Sequence, residues 1–199
     1  MITIPQLVVL NEQRWAKCII LPSRRAQCEA TAKRLVALSA KVIYQQLSAK
    51  TGVPWWVIAI IHEREADQNW GDSIAQGDPW NRVSRHVPRG RGPFPSFNAA
   101  AIDALVSCPP YAAKWTDWSA GGTLTLLEKY NGLGYEDYHN EASPYIWGAT
   151  NEEQPGKYTG DEDFSPSTWD SQLGCAAMLK AMELLDSSIV FAGSAKSVA

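Results

Sequence analysis

Apolar positions are spread unevenly along the chain. Seven consecutive apolar residues, "WWVIAII", run from Trp55 to Ile61, and the next six positions hold His62, Glu63, Arg64, Glu65 and Asp67. A segment that is apolar on every side belongs inside a domain. "VIAII" alone also suits a buried strand, but the "HEREADQ" that follows favours helix. The reading is a central buried helix of at least three turns, with Pro54 suited to its first turn. Upstream, "SRRAQCEATAKRLVALSAKVIYQQLSAKTG" reads as one long helix. Ser23 is its expected cap, Leu35, Leu38, Val42 and Leu47 recur at helical intervals, and Gly52 ends it. Residues 1–22 read as irregular, a short arm.

The pattern changes from Gly71 to Pro95, "GDSIAQGDPWNRVSRHVPRGRGPFP". Glycine and proline are dense and apolar residues sparse, which predicts a loop region or a small β-hairpin. "SFNAAAIDALVSCPP" predicts a short helix closed by Pro109 and Pro110. "TLTLLEKYNGLG" predicts another, stopped at Asn131 and Gly132. Residues 135–168 read mostly as loop, and "TWDSQLGCAAMLKAMELLD" as a final helix. The expected organisation is an arm (1–22), one domain (23–186) and a frayed tail (187–199). The expected fold class is α+β, mostly α.

Composition narrows this picture. A chain of 199 residues with 45% apolar and 20% charged content fits one globular domain with a substantial core. The net charge of -3 gives no global sign of nucleic-acid binding. The start, "MITIPQLVVLNEQRW", lacks the basic-then-apolar pattern of a signal peptide, and no stretch reads as a membrane span, so synthesis in a cytoplasm without membrane insertion is expected. Cys18, Cys28, Cys108 and Cys175 show no CxxC spacing, so zinc is not indicated and they read as buried hydrophobes. His62 has no HExxH partner, since position 66 is alanine. No metal or cofactor is assigned.

The end of the apolar helix carries the candidate chemistry. Trp56, Ile60, Glu63 and Asp67 fall on one helical row. Glu65 lies about 200° around from Glu63 and reads as structural. Glu63 thus continues a buried row as the helix reaches solvent. Burial penalises a charged carboxylate, and a carboxyl that keeps its proton can donate it to a leaving oxygen. Glycosidic cleavage generally needs a second group. Asp67 is too close for an inverting pair, so Asp72 and then Asp78 are the candidates, each also readable as a turn residue. Arg82, Arg85, Arg89 and Arg91 crowd one loop, either as a basic rim for an anionic partner or as a solvated loop. Tyr145 and Trp147, in "SPYIWG", are candidates for a sugar-stacking wall.

"TGVPWWVIAIIHERE" resembles the catalytic helix of the lysozyme-like superfamily, in its goose-type lysozyme and lytic transglycosylase branch. "EKYNGLGY" resembles that branch's "AYNAG" segment, with Tyr130 and Asn131 at the substrate-contacting positions. The order "GDP…VPRGRGPF…AAIDAL…LEKYNGLGY…SPYIWGAT…GKY" is similar to phage endolysin-type peptidoglycan hydrolases over roughly residues 51–185. The chain has Arg64 where transglycosylases have serine, and "SIAQGDP" stands where they have "GLMQ", with Gln76 as a sugar contact. These departures tell more against transglycosylase than against muramidase.

The resemblance implies a lysozyme-like fold and a muramidase. Such an enzyme hydrolyses the β-1,4 bond between N-acetylmuramic acid and N-acetylglucosamine, with Glu63 as general acid and no cofactor. Its partner is the peptidoglycan strand, reached as a monomer from the host cytoplasm through a holin-type pore. The alternatives are a lytic transglycosylase, a chitinase-like activity, and a non-catalytic wall-binding or structural phage protein.

Overall fold

A computed structural model describes residues 1–160 and 163–193. The chain is α+β and mostly α, as expected. It forms two compact units. The terminal unit comprises Met1–Ala32 with the described residues from Asp117 onward, and the middle unit comprises Lys33–Thr116.

The expected N-terminal arm is instead a helix, α1 (Ile4–Lys17), packed along α6 (Ala120–Asn131) in the terminal unit. Gln6 Oε1 accepts from the backbone N–H (3.0 Å) and hydroxyl (2.7 Å) of Thr3, and Pro5 sits in the first turn. Leu7, Asn11 and Trp15 form the buried row of α1. The two helices meet so closely that a Cβ on Gly121 would stand 2.3 Å from the carbonyl oxygen of Val8. Only glycine permits that approach. A short helix, α7 (Pro144–Trp147), packs against α6 and against α8 (Cys175–Leu185).

The β-hairpin lies in the terminal unit and not in residues 71–95. Strands β1 (Lys157–Gly160) and β2 (Asp163–Ser165) pair antiparallel, with Tyr158 opposite Phe164. His139 stacks on Phe164 with ring centroids 3.6 Å apart, and its Nε2 lies 2.9 Å from the Tyr158 hydroxyl. In residues 71–95 the pairing amounts to one isolated bridge, Asp72 with Pro79.

The expected long helix is two: α2 (Arg25–Leu35) and α3 (Leu38–Thr51). Neither Val36 nor Ala37 is a helix breaker, so composition carries no mark of the break. The predicted stripe dissolves with it. Leu35 and Leu47 are fully buried, but Leu38 is 77% exposed and Val42 41%. The buried row of α3 is Ala40, Tyr44, Leu47 and Thr51. Gly52 ends α3 at φ 76°, as the sequence predicts.

The middle unit packs α3 against α4 (Trp55–Ala66) and α5 (Phe97–Ser107). Every residue of α4 from Trp55 to His62 is buried, as expected for its central helix. Ser96 caps α5 by accepting from the N–H of Ala99 at 3.2 Å. All four cysteines are free and buried, and burial pushes the Cys18 and Cys28 thiols up to about 11. No helix of the described residues is long and apolar enough to cross a membrane.

Candidate active site

The end of α4 lies in a continuous hydrogen-bonded chain within the middle unit. Arg34 donates from Nη2 to Glu63 Oε1 at 2.7 Å and from Nη1 to Gln68 Oε1 at 2.8 Å. Gln68 donates to the Tyr44 hydroxyl at 3.1 Å, and that hydroxyl lies 2.9 Å from His62 Nδ1. His62 Nε2 lies 3.1 Å from the carbonyl oxygen of Asn69, which can only accept. Nε2 therefore carries the proton, Nδ1 accepts from Tyr44, and Tyr44 accepts from Gln68. Asn69 continues the chain by donating to Asp72 Oδ2 at 2.6 Å.

His62 is fully buried, and desolvation lowers its pKa to about 4 despite the hydrogen bond to Asn69. Burial likewise raises the pKa of Tyr44. Trp70 stacks on Tyr44 (5.4 Å between centroids) and meets the rings of His62 (4.7 Å) and Phe97 (4.8 Å). These rings pack around the Tyr44–His62 contact, which is buried, while the Arg34 and Asn69 ends of the chain of polar contacts reach solvent.

Glu63 sits where the helical row predicts, at the edge of burial, with 13% of its side chain exposed. Its Oε1 is held by Arg34, while Oε2 is buried without a hydrogen-bond partner among the described residues. The sequence pattern did not reveal the arginine, which comes from α2. Glu65 is half-buried on the other side of the helix end. A Cβ on Gly77 would stand 2.7 Å from the carbonyl oxygen of Glu65, and Gly77 has φ 70°. Glycine on both counts lets the "SIAQG" turn close on the helix end beside Glu65.

The loop candidates divide. Asp72 joins the network through Asn69. Gln76 accepts from Ser73 Oγ at 3.2 Å within its own turn. Asp78 is a loop organiser. Its Oδ2 accepts from the backbone N–H groups of Arg85 (2.7 Å) and His86 (2.9 Å), and its Oδ1 lies 2.8 Å from His86 Nδ1. These contacts, led by the His86 N–H, hold its carboxyl below the usual range. A carboxylate so fully engaged is poorly placed to activate water.

Tyr130, Asn131, Tyr145 and Trp147 all belong to the terminal unit. Tyr130 is half-buried and Asn131 exposed at the end of α6. Tyr145 is only 5% exposed and Trp147 fully buried, so Trp147 presents no open face for a sugar to stack on. The expectation from "SPYIW" fails there because α7 is packed by α6 and α8.

The sequence reading missed a buried carboxylate in the terminal unit. Glu128 on α6 is fully buried at the α1 contact. Asn11 donates to its Oε2 at 3.1 Å and to Thr125 Oγ1 at 3.2 Å, and Oε1 has no partner among the described residues. Burial pushes Glu128 up to about 7; neighbouring Glu136 adds to this, while Asn11 and Arg14 oppose it. Arg14 pairs with Glu136 at 2.5 Å. The signal available beforehand was a glutamate three residues after Thr125 on a helix apolar enough to be buried.

Among the described residues no cluster of three or more His, Cys, Asp or Glu is placed to hold a metal ion. No protein-family model, curated protein or solved structure matches the chain.

Proposed function

We propose that this protein is a peptidoglycan muramidase in which Glu63 is the general acid. One observation carries the reading: a helix buried from Trp55 to His62 delivers a carboxyl group to the edge of the core, oriented through one oxygen and unengaged at the other. In this reaction the Glu63 carboxyl gives its proton to the glycosidic oxygen as the bond to C1 breaks. Water then adds to C1, with Asp72 as the candidate base. The protein reaches the wall from the cytoplasm through a partner pore.

The Arg34–Glu63 pair favours a second reading of the same activity. A carboxylate paired with arginine is suited to a charged, supporting role. Glu65, beside the Gly77 turn, then supplies the proton and Glu63 fixes the helix end.

Glu63→Gln and Glu65→Gln, assayed separately for clearing of wall suspensions and for new reducing ends, decide the matter. The proton donor's variant loses about 10²- to 10⁴-fold in rate with folding intact, and the other keeps most of its activity. Anhydro ends in place of reducing ends identify a transglycosylase. A wild-type chain that binds walls and releases no fragments identifies a non-catalytic wall protein and ends the enzyme reading.

A further inference from the structure

The loop from Asp78 to Arg91 is cross-braced by hydrogen bonds without being a sheet. Beyond the three donors on Asp78, the N–H of Ser84 donates to the carbonyl of Arg91 at 2.9 Å. Ser84 Oγ donates to the carbonyl of Pro88 at 2.9 Å and accepts from the N–H of Arg91 at 2.9 Å. The side chain of Arg91 is committed to Asp103, which its Nε meets at 2.9 Å. Arg82 and Arg85 are different. Both are exposed, and their guanidinium groups have no hydrogen bond or ion pair among the described residues.

These two arginines line a groove of about 560 Å³ on the middle unit together with Asp78, Pro79, Val83, Ser84 and His86; the Asp78 carboxylate there is taken up by the Arg85 and His86 donors. From Asp78 to Asp103 there are four arginines against two aspartates, of which Asp103 is paired with Arg91 and Asp78 with the loop's own donors, although the chain as a whole carries a net charge of -3. The braced backbone fixes where the two arginines leave the loop, and each planar guanidinium fork matches an anion with two acceptor oxygens.

We propose that this groove is an anion-recognition site for the carboxylates of peptidoglycan stem peptides, with Arg82 and Arg85 as the binding residues and Asp78 as the positioning residue that frames them. The proposal rests on the wall substrate proposed above. It reassigns Asp78 from chemistry to recognition.

The test is cosedimentation of the full chain with purified sacculi on ice, before digestion. The double variant Arg82→Ala/Arg85→Ala binds about five- to tenfold more weakly, and Arg82→Lys/Arg85→Lys recovers part of the loss. Both arginines are exposed and unpaired, so circular dichroism and melting temperature stay unchanged. Asp78→Ala weakens binding with both arginines present. Wild-type chain binds sacculi with amidated carboxylates as weakly as the double variant binds native ones, and stripping phosphodiester polymers leaves binding unchanged. Equal binding by the double variant and wild type overturns the proposal. So does loss of binding on removal of the phosphodiester polymers instead of on amidation. Failure of the muramidase reading appears separately, as an absence of new reducing ends with wild-type chain.

Discussion

The two units each bury an ionisable side chain completely, and they treat it in opposite ways. In the middle unit His62 has a partner at both ring nitrogens, Tyr44 on one side and Asn69 on the other. In the terminal unit Glu128 has Asn11 on one oxygen and, among the described residues, no partner on the other. Burial favours the neutral form of each, which lowers His62 to about 4 and raises Glu128 to about 7. Burial alone therefore does not set the role of a polar group. A satisfied network specifies one arrangement of side chains, whereas a half-satisfied one makes the packing around it sensitive to protonation.

The largest effect should come from dismantling the satisfied network. His62→Ala leaves a cavity and strips partners from the buried Tyr44 hydroxyl and Asn69 carbonyl. A destabilisation of about 3–5 kcal/mol is expected by urea unfolding. A loss below about 1 kcal/mol would show that the network contributes little and would dissolve the contrast.

Next in size is the pH dependence, which has opposite signs in the two units. Glu128 has a folded pKa above its unfolded one, so its contribution is complete below about 4.5 and is lost as pH rises through about 7. His62 has a folded pKa below its unfolded one, so its contribution is complete above about 6.5 and is lost as pH falls through about 4. Each amounts to roughly 3 kcal/mol across its window. Amide exchange should show α1 and α6 losing protection as pH rises through the first window, and α3 and α4 losing it as pH falls through the second. Parallel changes in both units would contradict the comparison.

The smallest and most selective effect belongs to Glu128→Gln. It keeps the shape and the contact with Asn11 and removes the titration. It should cost about 1 kcal/mol or less at pH 5 and stabilise by up to about 2 kcal/mol at pH 8. Thermal melting at the two pH values reads the crossover, and a variant destabilised equally at both would place the sensitivity elsewhere.

Much of the architecture was legible in one dimension. The apolar run of α4 announced a buried helix because no exposed surface tolerates seven consecutive apolar positions. Gly52 and Asn131–Gly132 marked helix ends through local backbone chemistry, which neighbours in sequence are enough to specify. Residues 1–22 read as an arm, and the helix α1 there became visible only through its packing along α6. The break between α2 and α3 was not legible, since Val36 and Ala37 carry no local signal. The hairpin was misplaced because loop composition at 71–95 resembles turn composition, while pairing requires partners that composition does not name.

The candidate site divides along the same line. Helical periodicity puts Glu63 on the row of Trp56 and Ile60, so the order of residues suffices to stand a carboxylate where a buried helix meets solvent. What that carboxylate meets depends on how the chain folds back. Arg34 is 29 positions away, and its guanidinium holds one oxygen of Glu63. The same holds for Asp78, whose engagement depends on where the loop returns, and for Trp147, whose ring is enclosed by packing. Periodicity fixes which face of a helix a residue occupies; partners distant in sequence fix its charge, exposure and chemistry.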